Sequence, residues 1–160
     1  MLQSYFESLK YVGHLLPVSF LRIFLGYFYI EQALKDWKSH ILGNSAIGDL
    51  LIDAVGKANM PYWYRLFLSE HLLPHWNIYA FALVGVQLVI GISYMIGYVV
   101  RPASVLAFIF CLNYLAISSS NQEFFFKLML ACHLFMAWVG AGRCLGLDYY
   151  FYKRYRGMWW

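Results

Sequence analysis

Residues 78–100 read IYAFALVGVQLVIGISYMIGYVV, an apolar stretch without a charged side chain. A helix rises about 1.5 Å per residue, so a stretch of this length can cross a hydrocarbon core of about 30 Å. The most polar side chain near its centre is the amide of Gln87. This stretch therefore predicts a membrane-spanning helix, and it makes the expected fold class an all-α membrane protein.

The composition of the whole chain agrees with that prediction. Of its 160 residues, 62% are hydrophobic and 12% are charged, whereas soluble domains are about 45–50% apolar and about 25% charged. A globule of this size still exposes much of its surface, so it cannot hide such an excess of apolar side chains. The composition excludes a soluble enzyme, a disordered segment and a disulfide-rich secreted module. We expect a single polytopic membrane domain over residues 1–160, with the lipid bilayer and not nucleic acid as its partner.

Three further apolar stretches are predicted to cross the membrane, of which residues 103–118 form the shortest. The predicted spans cover residues 15–34, 78–100, 103–118 and 124–141. Pro102 disfavours helix at the residue before it, so the third span is predicted to begin after this proline. The connections between the last three spans are short, and short connections place neighbouring helices antiparallel. The sequence therefore predicts a four-transmembrane-helix up-down bundle.

The long connection between the first two spans has a pattern of its own. Apolar residues recur at helical spacing on one face of a predicted helix, namely Ile47, Leu50, Leu51, Ala54 and Val55. Asn44 or Ser45 is the candidate cap of that helix. Pro61 opens a second predicted helix, and the aromatic run after it is typical of the headgroup layer of a membrane. We expect one or two short interfacial helices over residues 44–76, and a soluble cap over the bundle is the alternative.

The orientation in the membrane follows from the basic residues. Residues 149–160 read YYFYKRYRGMWW, and a mixture of aromatic and basic side chains is typical of a segment anchored at the membrane interface. The lysines and arginines nearest the second, third and fourth spans favour the side that holds both termini. Basic residues accumulate in cytoplasmic connections, so both termini are predicted to be cytoplasmic.

Polar side chains inside the predicted spans are the candidates for function, because an ionisable group at membrane depth is costly. They are Arg22, Glu31, Gln87, Asn113, Lys127 and His133. By helical rise, Arg22 and His133 form one layer near the cytoplasmic side, with Tyr94 as a further member. Glu31 and Lys127 lie at the opposite side, where they are expected to neutralise each other or to reach the headgroups. Arg22 either snorkels to the nearer membrane face or needs an acceptor, such as a carbonyl, a phenol, a lipid phosphate or a ligand oxygen.

The second predicted span carries a stripe with mixed chemistry. Gln87, Gly91 and Tyr94 follow each other at i, i+4 and i+7, so they share one helix face. The amide and the phenol can form ordinary hydrogen bonds between helices. Alternatively they can hold a ligand, with Gly91 allowing a neighbouring helix or a flat ring to approach closely.

Metal and haem sites are not expected. Cys111, Cys132 and Cys144 contain no CxxC pair, and they are interpreted as small apolar residues. His71 and His75 are separated by Pro74, and no glutamate completes a zinc motif. No predicted span besides the fourth contains a histidine, so a haem between two histidines is not expected either.

The first predicted span resembles the opening helix of the DoxX-like family of membrane proteins. It reads LRIFLGYFYIEQALK over residues 21–35. The family's arginine, the glycine four residues later and the lysine at the helix exit correspond to Arg22, Gly26 and Lys35.

Two later stretches extend this resemblance over about residues 15–148. Residues 83–97, LVGVQLVIGISYMIG, followed by Arg101, are similar to the family's second helix and its short arginine-containing turn. Residues 140–148, GAGRCLGLD, resemble the family's closing signature of glycines, arginine, leucine and aspartate. Where the family commonly has a glutamate this chain has Gln87, which removes a proton acceptor and a partner for the arginine of the first span.

The resemblance implies a four-helix protein of the bacterial inner (cytoplasmic) membrane that takes part in quinone-linked or thiol redox chemistry. The family is similar to the DoxD and DoxA subunits of thiosulfate:quinone oxidoreductase, so quinone is the candidate cofactor. The leading hypothesis is a membrane subunit of a redox complex that lines a quinone or lipid-like site. The candidate residues of that site are Arg22, Gln87, Gly91, Tyr94 and His133. Without cluster-ligating cysteines in this chain, the electron donor is expected on another membrane subunit.

A structural role is the alternative. The chain contains 13 Phe, 14 Tyr and 6 Trp, and aromatic side chains are the residues expected in the core of protein interfaces. In this hypothesis the protein is a non-catalytic accessory subunit of a larger respiratory or photosynthetic assembly. A transporter is disfavoured, because the four predicted spans contain no inverted repeat.

Overall fold

The computed structural model of the protein describes Tyr11 and residues 13–41, 46–56, 60–117 and 122–155. Within these residues all regular structure is helical. The helices in chain order are α1 (Leu16–Ile41), α2 (Ala46–Val55), α3 (Tyr62–Phe67), α4 (Trp76–Ile96), α5 (Val100–Ile117), α6 (Glu123–Val139) and α7 (Asp148–Tyr155). A π-helical turn, Leu68–Leu72, continues α3, and a 3-10 turn, Ala141–Arg143, follows α6.

Helices α1 and α4 form a close antiparallel pair. A Cβ atom placed on Gly26 would lie 2.9 Å from the backbone nitrogen of Met95, and one placed on Gly91 would lie 2.6 Å from Cγ1 of Ile30. Rising residue numbers in α1 therefore meet falling numbers in α4. The two glycines allow the helix backbones to approach within a distance that a larger side chain would prevent.

Helices α5 and α6 are antiparallel as well. The rings of Tyr114 in α5 and Phe126 in α6 lie 5.5 Å apart, and Arg101 at the start of α5 packs against Gly140, which follows α6. The shared core of α1, α4, α5 and α6 is apolar, and its buried members include Leu25, Tyr29, Ile90, Tyr94, Ala107, Phe110, Met129 and Met136.

Three helical stretches of the described residues are long and apolar enough to cross a membrane. They are Gly13–Ser39, Trp76–Ile96 and Val100–Ile117. Helix α6 has 17 residues, which is about 25 Å of helix and less than the thickness of a typical hydrocarbon core. The membrane prediction is thus confirmed at the level of an all-helical protein with three candidate spans.

Several predicted boundaries are wrong, each for a local reason. Helix α1 continues to Ile41 instead of ending at residue 34, so Asp36 lies inside the helix and not in the connection. Helix α4 ends at Ile96 because Gly97 adopts a left-handed conformation with φ 71°, which glycine tolerates at a helix end. Helix α5 includes Pro102 in its first turn, where the missing N–H needs no helical partner.

The predicted amphipathic helix in the long connection is present as α2, with Leu51 and Ala54 buried. Together with Leu68 of the π-helical turn, these side chains pack against Ile117 at the end of α5. Tyr62 and Trp63 of α3 stay exposed. Helices α2 and α3 therefore cover the end of the bundle at which α1 ends. The predicted cap residues, Asn44 and Ser45, and the side chain of Ile47 lie outside the described part of the chain.

Candidate functional site

Arg22 is fully buried, and its guanidinium contacts backbone carbonyl groups. Its Nη1 donates to the carbonyl oxygen of Ala141 at 2.7 Å and to that of Cys144 at 3.2 Å. Its Nη2 donates to the carbonyl oxygen of Leu145 at 2.8 Å. Buried carbonyl groups outside regular helix need such donors, because an unpaired one costs free energy. Arg22 thus fastens α1 to the segment between α6 and α7.

Asp148 fastens the same segment to the turn between α4 and α5. Its carboxylate accepts the backbone N–H of Val99 at 2.6 Å and that of Val100 at 3.0 Å, while its own N–H donates to the carbonyl oxygen of Gly97 at 3.0 Å. Burial raises the pKa of the Asp148 carboxyl, although the two N–H bonds and the nearby Arg22 act in the opposite direction. Residues Arg22, Asp148 and the segment 141–148 are called the clasp below, and the end of the bundle that holds them is the clasp end.

The glycines of this segment are needed for the same contacts. A Cβ atom on Gly142 would collide with the carboxylate of Asp148, and one on Gly146 would collide with the carbonyl oxygen of Gly142. The stretch GAGRCLGLD, which carries part of the family resemblance, therefore has a structural role in closing the clasp.

His133 lies at the centre of a buried series of hydrogen bonds. Its Nε2 is 2.8 Å from the hydroxyl oxygen of Tyr29, and its Nδ1 is 2.9 Å from that of Tyr94. The Tyr94 hydroxyl donates to Oγ of Ser104 at 3.1 Å, and the Tyr29 hydroxyl lies 3.4 Å from Sγ of Cys111. We call this series the core chain, and it consists of Cys111, Tyr29, His133, Tyr94 and Ser104.

The proton positions in the core chain follow from the bond that Ser104 forms at one end of the series. Ser104 donates to the carbonyl oxygen of Val100 at 2.8 Å, so it must accept the proton of Tyr94. The oxygen of Tyr94 is then the acceptor for Nδ1 of His133, and in the neutral imidazole Nε2 accepts the proton of Tyr29. The oxygen of Tyr29 remains as an acceptor for the thiol of Cys111. One direction of donation therefore satisfies every member of the series.

A cavity of about 400 Å³ opens at the end of the bundle opposite the clasp. Four phenylalanine rings line it, those of Phe28, Phe110, Phe125 and Phe126. Tyr29 and Cys111 of the core chain also belong to its wall. The remaining wall includes a polar group formed by Gln32, Asp36 and Gln87. The cavity thus combines aromatic walls with one polar region, as small-molecule sites commonly do.

The polar region is organised around the carboxylate of Asp36. Its Oδ1 accepts Nε2 of Gln32 at 2.9 Å, and its Oδ2 accepts Nε2 of Gln87 at 2.9 Å. Gln87 is 2% exposed, and its Oε1 has no hydrogen-bond partner among the described residues. Buried polar atoms are nearly always bonded, so this oxygen indicates a place for a donor from outside the chain.

The five site residues predicted from the sequence do not lie together. Gln87 lines the cavity. Tyr94 and His133 bond to each other in the core chain, and Arg22 lies in the clasp at the opposite end. Gly91 packs against α1, so the space beside it is occupied by a neighbouring helix and not by the ring of a ligand. The predicted layer that joined Arg22 with His133 is therefore divided into two separate assemblies.

Of the two alternatives predicted for Glu31 and Lys127, the pairing of one with the other is wrong. Glu31 forms an ion pair with Lys35 at 2.6 Å, and Lys127 forms one with Glu123 at 2.9 Å. Both pairs join residues four positions apart on one helix, where side chains meet without any tertiary contact.

Tyr29, Asp36 and Ser104 were not predicted as site residues from the sequence, and Cys111 was interpreted only as a small apolar residue. A signal for two of them exists, because Tyr29, Gln32 and Asp36 follow each other at i, i+3 and i+7 and share one face of α1. Ending the predicted helix at residue 34 concealed that face. Ser104 and Cys111 are small residues in an apolar stretch, and their partners come from other helices, so no local pattern marks them.

A second cavity, of about 460 Å³, lies at the clasp end. It is lined by Tyr11, His14, Trp138, Arg143, Tyr149 and Tyr152, among others. The guanidinium of Arg143 lies 4.2 Å from the ring centre of Tyr152. This mixture of basic and aromatic side chains is of the kind found where proteins meet lipid headgroups.

Among the described residues no cluster of three or more histidine, cysteine, aspartate or glutamate side chains could hold a metal ion. Comparison of the chain with protein-family models, with characterised proteins and with solved structures finds no match.

Proposed function

We propose that the protein is an integral membrane subunit of a redox-linked complex and that its cavity binds a quinone-like or lipid-like ligand. The observation that carries this proposal is the buried, unpartnered Oε1 of Gln87 in an aromatic cavity of about 400 Å³. An isolated protein chain seldom leaves such an atom unbonded, because the lost hydrogen bond costs about 1–3 kcal/mol. A ligand that bonds to this oxygen removes that cost.

The lining suits a flat, mostly apolar ligand. Phe28, Phe110, Phe125 and Phe126 offer ring faces and edges against which an aromatic head can pack. Gln32, Asp36 and Gln87 form one polar region for the oxygens of that head. When bound, a quinone supplies two-electron, two-proton redox chemistry. The electron donor is proposed to lie on a partner subunit.

The core chain provides a proton partner behind the cavity wall. Tyr29 lines the cavity and also bonds to Nε2 of His133 at 2.8 Å. Its hydroxyl oxygen can accept a proton from the cavity side while its own proton moves to the imidazole. Tyr29 is therefore proposed to exchange protons between the cavity and His133. In this proposal His133 does not contact the ligand itself.

The proposed membrane arrangement has four spans, with α6 as the shortest, and both termini in the cytoplasm of a bacterial cell. The antiparallel contacts among α1, α4, α5 and α6 support it, because they require all four helices to share one layer. Helices α2 and α3 then lie at the outer face of the inner (cytoplasmic) membrane. Exposed Tyr62 and Trp63 suit the headgroup layer there.

Filling the cavity tests the proposed function. Leu50 of α2 lines the cavity, so Leu50→Trp is expected to occupy part of its volume. Ile52 lies on the same helix but is 59% exposed, which makes Ile52→Trp the matched control. We expect the purified wild-type protein to bind decylubiquinone in equilibrium dialysis, and Leu50→Trp to bind it about tenfold more weakly, a loss of about 1.4 kcal/mol. The control variant should bind as the wild type does. Absent binding to the wild type, or equal losses in both variants, would reject the proposal.

An accessory role is the second candidate. Phe20, Phe24 and Tyr27 recur at i, i+4 and i+7 on α1 and are exposed, so they form an aromatic stripe that faces lipid or another subunit. Purification in a mild detergent should then recover stoichiometric membrane partners. A complex whose activity is unchanged by Leu50→Trp would favour the accessory role, whereas a partner-free, monodisperse protein would contradict it.

A further inference from the structure

We infer that the cavity selects the reduced, hydroxyl-bearing form of a quinone over the oxidised form and over anionic amphiphiles. This inference rests on the proposed function and adds the chemical class of the ligand. It follows from the polar region of the cavity, which presents hydrogen-bond acceptors, the carboxylate of Asp36 and Oε1 of Gln87.

The orientation of the Gln87 amide is set by its neighbour. A carboxylate can only accept hydrogen bonds, so the side of the amide that faces Oδ2 of Asp36 must be its NH₂ group. The bond from Nε2 to Oδ2 is 2.9 Å long. Rotating the amide by 180° would bring two oxygens together at that distance. Asp36 thereby forces Oε1 of Gln87 to remain an acceptor.

Among the described residues, Asp36 has no ion-pair partner. Its two amide partners, Gln32 and Gln87, are both neutral. The two ion pairs found among the described residues involve other carboxylates, those of Glu31 and Glu123. No lysine, arginine or histidine occurs in the described lining of the cavity. The polar region is therefore negative, which repels carboxylate, phosphate and thiosulfate groups.

The two redox forms of a quinone differ in what they offer to such a region. The ring oxygens of the oxidised form only accept hydrogen bonds, so they cannot bond to Oε1 of Gln87 or to the carboxylate of Asp36 and depend on the remaining N–H of the amides. The hydroxyl groups of the reduced form donate, and one such bond satisfies Oε1 of Gln87. A site that hydrogen-bonds a hydroxyl rejects analogues lacking that group, because its own polar atom is then left unpaired. A preference of about tenfold is the expected size for one such bond.

The test compares the two forms directly. Under anaerobic conditions, the purified full-length protein is titrated by equilibrium dialysis with decylubiquinol and, separately, with decylubiquinone. The wild type is expected to bind the quinol about tenfold more tightly. Gln87→Met removes the acceptor and keeps a side chain of similar length. The ratio of its affinities for quinol and quinone should therefore fall towards one, while quinone binding persists. Asn77 is an exposed amide on the same helix as Gln87 and does not line the cavity, so Asn77→Leu should keep the wild-type ratio.

A second variant protects the test against a folding defect in Gln87→Met. Asp36→Asn keeps the shape of the side chain and removes its charge, so it is expected to lower the quinol preference and to weaken the exclusion of dodecanoate, an anionic competitor. Dodecanoate should not displace quinol from the wild type, whereas dodecanol, which is neutral and carries a hydroxyl group, should displace it.

Each contrary outcome has a distinct meaning. Equal affinity for the two redox forms overturns the inference and leaves the proposed quinone site standing, whereas binding of neither form overturns the proposed function. A preference that survives in Gln87→Met rejects the role of that amide. Displacement of quinol by dodecanoate as strong as that by dodecanol would overturn the exclusion of anionic amphiphiles.

Discussion

Arg22 holds a positive charge at a fully buried position in a candidate membrane span. Three backbone carbonyl oxygens, at 2.7 to 3.2 Å, accept its N–H groups. The carboxylate of Asp148 adds a favourable electrostatic interaction with it. The residue therefore acts as a fastener between distant parts of the chain, and its effect on any ligand is indirect.

Arg22→Met is expected to destabilise the fold strongly. The change leaves the carbonyl groups of Ala141 and Leu145 without their donor and Asp148 without its nearby cation. Removal of one partner from a buried charged network typically costs about 3–5 kcal/mol. The measurement is the free energy of unfolding in mixed detergent micelles with increasing dodecyl sulfate.

Lys35→Met serves as the control for the loss of a positive charge from the same helix. Lys35 pairs with Glu31 at the exposed surface, so its removal should leave unfolding unchanged. If Arg22→Met unfolded at the same detergent composition as the wild type, the fastening role would be refuted.

The polar residues in the apolar stretches were identifiable from the sequence, but their partners were not. Gln87 and His133 stand out because a polar group in a membrane-spanning stretch is unusual. Spacing can place Tyr29 and Asp36 on one face of α1, but it cannot show that they bond to His133 and Gln87 of other helices. Hydrogen bonds between helices depend on helix rotation and depth, which are decided by packing.

At the scale of elements, the contact between α1 and α4 depends on small residues. Gly26 and Gly91 face each other's helices, and the carbonyl oxygen of Gly26 would lie 3.1 Å from a Cβ atom on Gly91. Within a membrane, apolar area gives little drive for association, so close backbone packing contributes more of the stability.

Gly91→Ala is expected to destabilise the pair of α1 and α4. The added methyl group would lie 2.6 Å from Cγ1 of Ile30, and overpacking of this kind typically costs about 1–3 kcal/mol. The detergent titration used for Arg22→Met provides the measurement.

Gly85→Ala is the matched control on the same helix. A Cβ atom there meets nothing within 4 Å, so the variant should be neutral, or more stable by up to about 1 kcal/mol through helix propensity. Equal stabilities of the two variants would show that the close approach at Gly91 contributes nothing.

At the scale of the whole molecule, α6 decides the topology. It is shorter than the three candidate spans, yet its His133 bonds to tyrosines of α1 and α4. If α6 crosses the membrane, the segment before α1 and the segment after α6 lie in the same compartment. If α6 does not cross, α7 lies on the opposite side and the clasp contacts of Arg22 and Asp148 cannot form.

Cysteine labelling separates these two topologies. In a variant with Cys111, Cys132 and Cys144 replaced by alanine, Glu70→Cys and Tyr152→Cys place single thiols at exposed positions on opposite ends of the bundle. With four spans and cytoplasmic termini, an impermeant maleimide should label position 70 in intact cells and position 152 only after permeabilisation. Labelling of both positions in intact cells would mean that α6 does not cross. The cysteine-free background, which should not be labelled, is the control.

The sequence by itself determined that this is an all-helical chain with stretches long and apolar enough to cross a membrane, and it identified Arg22, Gln87 and His133 as polar residues within apolar stretches. Those conclusions depend on the composition and the hydrophobic periodicity of each stretch, which are local properties and do not depend on tertiary contacts. The tertiary structure decided that Arg22 closes the clasp, that His133 belongs to the core chain, and that Gln87 lines the cavity with Asp36. The physical reason is that the role of a buried polar group depends on the atoms that form hydrogen bonds with it, and here those atoms come from helices far apart in the sequence.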